Sequence, residues 1–120
     1  MSKKKPYTFI DLFAGLGGFH IALESLGCKC VFTSELKEDL QRLYEINFPD
    51  TPRIEGDITK VDLSSIPHHD ILCAGFPCQP FSYAGQRRGA KDDRYLWPQM
   101  LRAISEIRPT WVIGENVAGI

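Results

Sequence analysis

The 120-residue sequence lacks the features that mark several large classes of protein. No stretch approaches the roughly 20 consecutive apolar residues of a membrane-spanning helix, so no membrane partner is expected. The four cysteines form no C-x-x-C pair, which argues against a metal site and a disulfide framework and favours reduced thiols in a cytoplasm. The formal net charge is −1, so any affinity for nucleic acid must come from a local patch.

The chain starts with a short basic segment, MSKKKP, that no apolar stretch follows. We therefore interpret residues 1–6 as a disordered tail rather than as a signal peptide. The remaining residues, 7–120, are enough for one small domain and too few for two.

Apolar runs rich in β-forming residues alternate with amphipathic segments along residues 7–120. The apolar runs predict five strands, at 7–13, 29–35, 53–59, 69–75 and 110–116. Apolar residues at helical spacing predict helices at 19–27, 38–48 and 94–107. Gly27 is expected to end the first helix, and Pro98 to fall in the first turn of the last or to bend it. This alternation predicts an α/β fold, a doubly wound and mostly parallel sheet with helices on both faces.

Residues that could bind a ligand or take part in catalysis cluster where the predicted strands end. They are residues 13–18, Glu35, Asp57, residues 75–82 and Glu115. In an open parallel sheet, ligands bind outside the carboxyl ends of the strands. These five groups are distant in sequence, but the fold is expected to bring them to one edge.

A glycine cluster, GLGG at residues 15–18, follows the first strand and opens a helix, as a nucleotide-binding turn does. It is not the dinucleotide fingerprint G-x-G-x-x-G, because position 20 is His, and no P-loop lysine follows it. Glu35 ends the second strand, where a carboxylate can accept hydrogen bonds from ribose, and Asp57 could accept from an exocyclic amine. The alternative is a tight turn beside two solvated acids, but the combination favours a cofactor that carries a nucleoside.

Cys78 lies in a predicted loop, between Pro77 and Pro80, which restrict the backbone on either side. One interpretation is a packed, proline-rich turn. The other is a thiolate nucleophile held with little freedom. The other three cysteines, Cys28, Cys30 and Cys73, are interpreted as packed or part-exposed thiols.

Glu115 ends the last predicted strand, at the same edge as Cys78. It is either a solvated carboxylate or an acid that holds or protonates a ring nitrogen while sulfur attacks a neighbouring carbon. His68 and His69 precede the fourth strand and are expected on the surface at the opposite edge. Neither is therefore an obvious base for the thiol.

The loop after Cys78 also carries a basic cluster with interleaved aromatic residues. The cationic residues are Arg87, Arg88, Lys91 and Arg94, and the aromatic ones are Tyr83, Tyr95 and Trp97. A charged loop is usually only solvated. Beside a reactive cysteine, contact with phosphate groups becomes the interpretation we favour.

Four stretches, FIDLFAGLGGFHIAL, GDIT, DILCAGFPCQPFS and GENV, resemble the successive motifs of the DNA (cytosine-5)-methyltransferases. The resemblance runs from about Phe9 to Val117, and the residues around the last predicted helix and strand resemble bacterial and phage members. It implies a Rossmann-like S-adenosylmethionine-dependent methyltransferase fold, truncated after the fifth strand. It also implies methyl transfer from S-adenosylmethionine to C5 of cytosine in DNA.

The same resemblance implies roles for individual residues in binding the cofactor and DNA. S-adenosylmethionine would lie over the glycine turn, Glu35 would hold the ribose, and Asp57 with Ile58 would meet the adenine. The cofactor-binding candidates are Phe13, Ala14, Gly15, Leu16, Gly17, Gly18, Glu35, Leu36, Asp57, Ile58 and Pro77. Leu36 departs from the aromatic residue that often follows the ribose acid in this family. The DNA-binding candidates are Gln79, Ser82, Arg87, Arg88 and Lys91.

By resemblance, Cys78 is the nucleophile that adds to C6 of cytosine, and Glu115 engages N3 and the exocyclic amine. Addition of the thiolate turns the ring into an enamine, so C5 becomes electron-rich enough to accept a methyl group. Because sulfur approaches from above the ring, the implied substrate is double-stranded DNA with the target cytosine flipped out.

The family's sequence continues well past this one, into a later catalytic arginine, a target-recognition domain and a C-terminal helix. Residues 7–120 are thus expected to be the N-terminal part of the catalytic domain, inactive without the missing part or a second subunit. The expected setting is a restriction-modification system in the cytoplasm of a bacterial cell or phage-infected host. Two alternatives remain: a tRNA cytosine-5 methyltransferase, which GFPC disfavours, and a non-catalytic partner that keeps the motifs.

Overall fold

The computed structural model describes residues 5–75 and 97–115. In chain order the strands are β1 (Thr8–Leu12), β2 (Lys29–Ser34), β3 (Ile54–Glu55), β4 (Ile71–Ala74) and β5 (Trp111–Gly114). The helices are α1 (Gly18–Ser25), α2 (Glu38–Asn47) and α3 (Trp97–Ile107), and two 3-10 turns lie at Ile58–Lys60 and Leu63–Ser65. Within this part of the chain the predicted strands and helices are therefore all present.

The five strands form one parallel sheet in the order β3-β2-β1-β4-β5. The order reverses at β1, since β2 and β3 extend the sheet on one side of it and β4 and β5 on the other. A reversal of this kind in an open parallel sheet creates a crevice at the carboxyl ends of the strands. The predicted doubly wound α/β fold is confirmed.

Helices cover both faces of the sheet. On one face Ile10 and Leu12 belong to a buried cluster with Met100 and Ala103 of α3. On the other face Phe9 belongs to a second cluster, which contains the following further residues: Leu23, Cys30, Ile71 and Cys73, with Phe19 and Cys28 packed against it. Because successive residues of a strand point to opposite faces, β1 supplies both clusters at once and is buried along most of its length.

Sequence signals located the ends of the helices well. Gly27, with φ of 87°, follows α1 and donates its N–H to the carbonyl of Glu24, and Cys28 donates to Leu23. This is the left-handed ending that glycine favours, so the predicted stop is confirmed. Pro98 is the second residue of α3, in its first turn, where its missing N–H costs no helical hydrogen bond.

Two expectations are corrected. The third strand, predicted at 53–59, is regular only at Ile54–Glu55, because Asp57 caps the 3-10 turn that follows it. His69, expected on the surface, is buried, and its Nδ1 donates to the Pro67 carbonyl over 3.0 Å. Burial lowers the pKa of the His69 imidazole, although His68 beside it is exposed as predicted.

Strand β5 is more exposed to solvent than β1, β2 and β4. Trp111 is 64% exposed, and Val112 and Ile113 are also exposed. Of the residues described, none lies in a helix long and apolar enough to cross a bilayer.

Candidate cofactor and catalytic site

The carboxyl ends of the strands are level with one another. Leu12 pairs with Ala74, and Ala74 pairs with Gly114, so β1, β4 and β5 end side by side. On the other flank Ser34 pairs with Glu55. Parallel register thus brings together the residues that follow each strand, as the sequence predicted.

A tight turn of unusual backbone conformation follows β1. Phe13, Gly15 and Gly17 all have positive φ, at 55°, 57° and 84°. Ala14 donates its N–H to the carbonyl of Ser34 over 2.9 Å, which ties the turn to the end of β2. A positive φ is costly for a residue with a side chain, so the conformation of Phe13 is strained and has to be held by its surroundings.

Glu35 joins this turn to the start of α2. Its Oε1 accepts a hydrogen bond from the Gly15 backbone N–H over 2.8 Å, and its Oε2 accepts one from the Lys37 N–H over 2.9 Å. Each carboxylate oxygen has further acceptor capacity, because an ionised carboxylate offers about four lone-pair sites. The geometry therefore orients the Glu35 carboxylate beside the glycine turn and leaves it able to accept further hydrogen bonds.

The glycines of the turn have different surroundings. A Cβ at Gly17 would clash with the Phe48 ring, its Cζ lying at 2.8 Å, and would meet the Tyr44 ring at 3.2 Å. A Cβ at Gly15 or Gly18 would meet nothing within 4 Å. Gly17 is thus required by packing against α2 and the residue after it, whereas Gly15 and Gly18 expose open backbone.

Asp57 lies at the third strand end. Its Oδ1 accepts from the Thr59 hydroxyl over 2.7 Å and from the Thr59 N–H over 2.9 Å, and these bonds hold the pKa of the Asp57 carboxyl below its ordinary value. Ile58, the neighbouring candidate, is only 3% exposed, and its side chain lies in the core. Its carbonyl accepts a hydrogen bond from Nη2 of Arg102 over 3.0 Å.

Glu115 directly follows β5, and its N–H donates to the Ala74 carbonyl over 2.9 Å. The Glu115 carboxylate lies beside Gly75, with Oε2 3.8 Å from where a Cβ on that glycine would stand. A Cβ on Gly75 would also lie 3.5 Å from the Phe19 ring. The structure therefore places the Glu115 carboxylate at the segment that leads toward Cys78 in sequence.

Several candidates lie outside the described residues. They are Cys78, Pro77, Gln79, Ser82, Arg87, Arg88 and Lys91. The structure brings the glycine turn close to Glu35, and it places Asp57 and Glu115 at the same edge of the sheet. In the part of the chain that is described, no group of three or more His, Cys, Asp and Glu side chains has the arrangement of a metal site.

A buried polar chain beneath the turn was not anticipated. Asp11 of β1 is 1% exposed, with Oδ2 3.5 Å from the Tyr44 hydroxyl oxygen. The Tyr44 hydroxyl hydrogen-bonds Nδ1 of His20, whose Nε2 donates to Glu24 over 2.8 Å. Burial raises the pKa of Asp11 to about 8 and lowers that of His20. Two features of the sequence could have indicated this chain of polar groups: Asp11 is an acid inside an apolar strand, and His20 is a histidine close to the glycines.

The sheet order and the helices on both faces place this chain in the doubly wound α/β class, in which ligands bind at the carboxyl ends of the strands. Two solved structures share the fold. A DNA modification methyltransferase encoded in an E. coli prophage superposes with a TM-score of 0.74 at 25% identity, over 95% of this chain and 33% of that one. Spodoptera frugiperda DNMT2 superposes with a TM-score of 0.72 at 23% identity, over 94% of this chain and 36% of that one.

Sequence comparison identifies the family. The profile of C-5 cytosine-specific DNA methylases matches residues 7–120, and the chain belongs to this family. It is 50% identical to the type II methyltransferase M.DsaV of Dactylococcopsis salina over 98% of this chain and 33% of that protein. It is 53% identical to M.HhaI of Haemophilus parahaemolyticus, over 91% and 33% of the two chains. The chain spans about a third of the length of these relatives.

Proposed function

We propose that this chain carries the cofactor-binding and catalytic motifs of a DNA cytosine-5 methyltransferase. The reaction is transfer of a methyl group from S-adenosylmethionine to C5 of cytosine, through a covalent bond between Cys78 and C6. The observation that supports it most directly is the Glu115 carboxylate beside Gly75, at the edge where Glu35 binds the glycine turn. Membership of the C-5 cytosine-specific DNA methylase family supports the same reaction.

The residues around the turn fit S-adenosylmethionine. The backbone of Gly15 and Gly18 is open to a ligand, and Glu35 retains acceptor sites for ribose hydroxyls. Leu16 and Leu36 have exposed apolar side chains near this turn, where Phe13 and Ala14 also lie. When bound there, the cofactor supplies an electrophilic methyl group on a sulfonium sulfur.

Asp57 is the proposed acceptor for the exocyclic amine of adenine. Its carboxyl group is ionised at neutral pH, since the bonds from Thr59 hold its pKa below the already acidic ordinary value, and an ionised acceptor forms the stronger hydrogen bond. Because the Ile58 side chain is buried, that residue can meet the adenine only through its backbone. Pro77 is the remaining cofactor-binding candidate and precedes the nucleophile in sequence.

The proposed chemistry makes C5 of cytosine nucleophilic. The Cys78 thiolate adds to C6, and the electrons of the C5–C6 double bond move toward C5 while charge builds on the ring. Glu115, in its protonated form, gives a proton to N3 and accepts a hydrogen bond from the exocyclic amine. The proton neutralises the developing charge, which lowers the barrier to sulfur addition. C5 then takes the methyl group, and S-adenosylhomocysteine is the leaving group. Loss of the C5 proton to a base re-forms the C5–C6 double bond, the Cys78 thiolate departs, and N3 returns its proton to Glu115.

The proposed substrate is double-stranded DNA from which the target cytosine is flipped, because the thiol cannot reach above a stacked base. Gln79, Ser82, Arg87, Arg88 and Lys91 are the proposed DNA contacts, with the cationic ones facing phosphate groups. We propose that the enzyme acts in the bacterial cytoplasm as part of a restriction-modification system. Its type II methyltransferase relatives support this setting.

The rest of the site is proposed to come from further protein, either a C-terminal continuation or a second subunit. The chain spans only about a third of its relatives, and β5 is exposed at the side of the sheet where more protein would pack. Alone, the 120 residues are expected to bind S-adenosylmethionine weakly and to methylate nothing. Methyl transfer to DNA by the purified chain would contradict this.

The decisive test is trapping on duplex DNA that contains 5-fluorocytosine. The chain is first completed by fusing to it the C-terminal part, about two-thirds, of M.HhaI. Fluorine cannot leave as a proton does, so an adduct at Cys78 should accumulate with S-adenosylmethionine present. Cys78→Ser should abolish it, and Cys28→Ser, at a part-exposed thiol, should not.

Two further outcomes of this experiment decide between the alternatives. An adduct on tRNA containing 5-fluorocytosine, with none on DNA, would assign RNA as the substrate. Unchanged methylation by the Cys78→Ser protein would instead show that the chain is a non-catalytic partner.

A further inference from the structure

The side chain of Arg102 connects α3 to the segment that follows β3. Its Nη2 donates a hydrogen bond of 3.0 Å to the carbonyl oxygen of Ile58, 44 positions away in sequence. Its Nε is buried and makes no hydrogen bond within the described part of the chain. Burying part of a guanidinium is costly, and the hydrogen bond to Ile58 offsets part of that cost.

The segment that receives this bond has little regular structure of its own. Strand β3 contains two residues, and a single 3-10 turn, Ile58–Lys60, follows after Gly56 and Asp57. Such short elements are weakly stable alone and depend on tertiary contacts. Local hydrogen bonds, such as those from Thr59 to Asp57, shape the turn itself. The position of this turn relative to the sheet depends on tertiary contacts, among them those of Ile58.

Helix α3 holds Ile58 in two ways. The Ile58 side chain belongs to the same buried cluster as Met100 and Ala103, on either side of Arg102 in the helix. Apolar packing is non-directional and does not by itself orient a peptide plane. The Ile58 carbonyl also accepts the Val61 N–H over 3.3 Å, inside the 3-10 turn. The hydrogen bond from Arg102 is directional, and it ties that carbonyl, and with it the turn, to α3.

We propose that Arg102 is a positioning residue for the nucleoside end of the cofactor site. Its bond to the Ile58 carbonyl orients the Asp57–Ile58 segment so that the Asp57 carboxylate meets the exocyclic amine of adenine. This inference rests on the proposed function, since it assumes the adenosyl cofactor. It adds that α3, the helix that follows Cys78 in sequence, also sets the geometry of adenine recognition.

The test compares ligands that differ only at that amine. The completed protein of the trapping experiment is titrated by calorimetry with S-adenosylhomocysteine and with its 6-deamino analogue, in which hydrogen replaces the amine and N1 remains an acceptor. The wild type should prefer the adenosyl ligand, and Arg102→Met should reduce that preference about tenfold. Arg102→Lys, which keeps a cationic donor, should fall between the two.

Two further variants separate positioning from general stabilisation. In a protein that already carries Asp57→Ala, Arg102→Met should change the preference no further, because both substitutions remove the same contact. Arg42→Met, at an exposed position on α2, should leave it intact. Thermal unfolding of each variant is measured alongside.

The outcomes distinguish the two claims. If Arg102→Met weakens both ligands equally, or lowers only the unfolding temperature, Arg102 is merely structural and the inference is wrong. If the Arg102→Met protein does not fold, the Arg102→Lys protein is used instead. An unchanged preference for the adenosyl ligand in the Arg102→Lys protein would also overturn the inference. If the wild type binds neither ligand, the proposed function fails and the inference falls with it.

Discussion

The backbone N–H of Gly15 donates a hydrogen bond of 2.8 Å to Oε1 of Glu35, across 20 positions of sequence. The other carboxylate oxygen accepts from Lys37 at the start of α2. One side chain thus holds together the turn after β1 and the entry to α2. The glycine turn owes part of its shape to the acid proposed to bind ribose beside it.

Replacing Glu35 by Gln should therefore damage both the turn and the ligand site. The amide nitrogen cannot accept from an N–H, so one of the two backbone donors loses its partner. We expect the free energy of unfolding to fall by about 1–2 kcal/mol and affinity for S-adenosylhomocysteine to fall at least about tenfold. Urea unfolding and calorimetric titration measure the two effects. Glu38→Gln, exposed in the first turn of α2, is the matched control and should change neither.

Gly17→Ala should be much more destabilising than Gly18→Ala. At Gly17 the new methyl group meets the Phe48 and Tyr44 rings, and φ of 84° is unfavourable for alanine. We expect a loss of roughly 2–4 kcal/mol in the free energy of unfolding. At Gly18, in α1, a Cβ meets nothing within 4 Å, so the change should be small. Equal losses in chemical denaturation would show that the turn can rearrange.

Asp11 should make the protein less stable as the pH rises. Burial raises its pKa from 3.8 to about 8, so between these values the folded state binds a proton that the unfolded state has released. Stability from this group is therefore full below about pH 4 and is lost as the pH approaches 8. Asp11→Asn should remove the decline, a difference of roughly 1.4 kcal/mol for each pH unit across this window. Urea unfolding from pH 4 to 9 measures it, and parallel profiles would contradict the assignment.

Tyr44→Phe should cost about 1–3 kcal/mol, since it leaves Nδ1 of buried His20 without its hydrogen-bond partner. The Phe48 ring stacked on His20, at 3.9 Å between centroids, keeps solvent from replacing the lost hydroxyl. Tyr7→Phe removes a hydroxyl from an exposed ring and should be neutral. Thermal denaturation of both variants checks this, and equal unfolding temperatures would mean that the hydroxyl of Tyr44 contributes little.

The sequence was most informative where local chemistry decides local structure. Glycines after an apolar run predicted the turn at 15–18, and Gly27 predicted the end of α1, because positive φ is a backbone property that few residues tolerate. The third strand was predicted too long. Its apolar pattern continues to Thr59, but Asp57 bonds to the backbone two residues on and ends the extended conformation.

The sequence by itself determined the alternation of strands and helices, the parallel sheet and the acids that follow its strands, because these depend on periodicity and on fixed handedness. Only the tertiary structure decided which groups meet. The hydrogen bond from Arg102 to Ile58 joins a helix to a turn 44 positions away, and the chain from Asp11 through Tyr44 to His20 joins three elements. Such contacts depend on how the elements pack, and burial then sets the protonation of the groups that packing encloses.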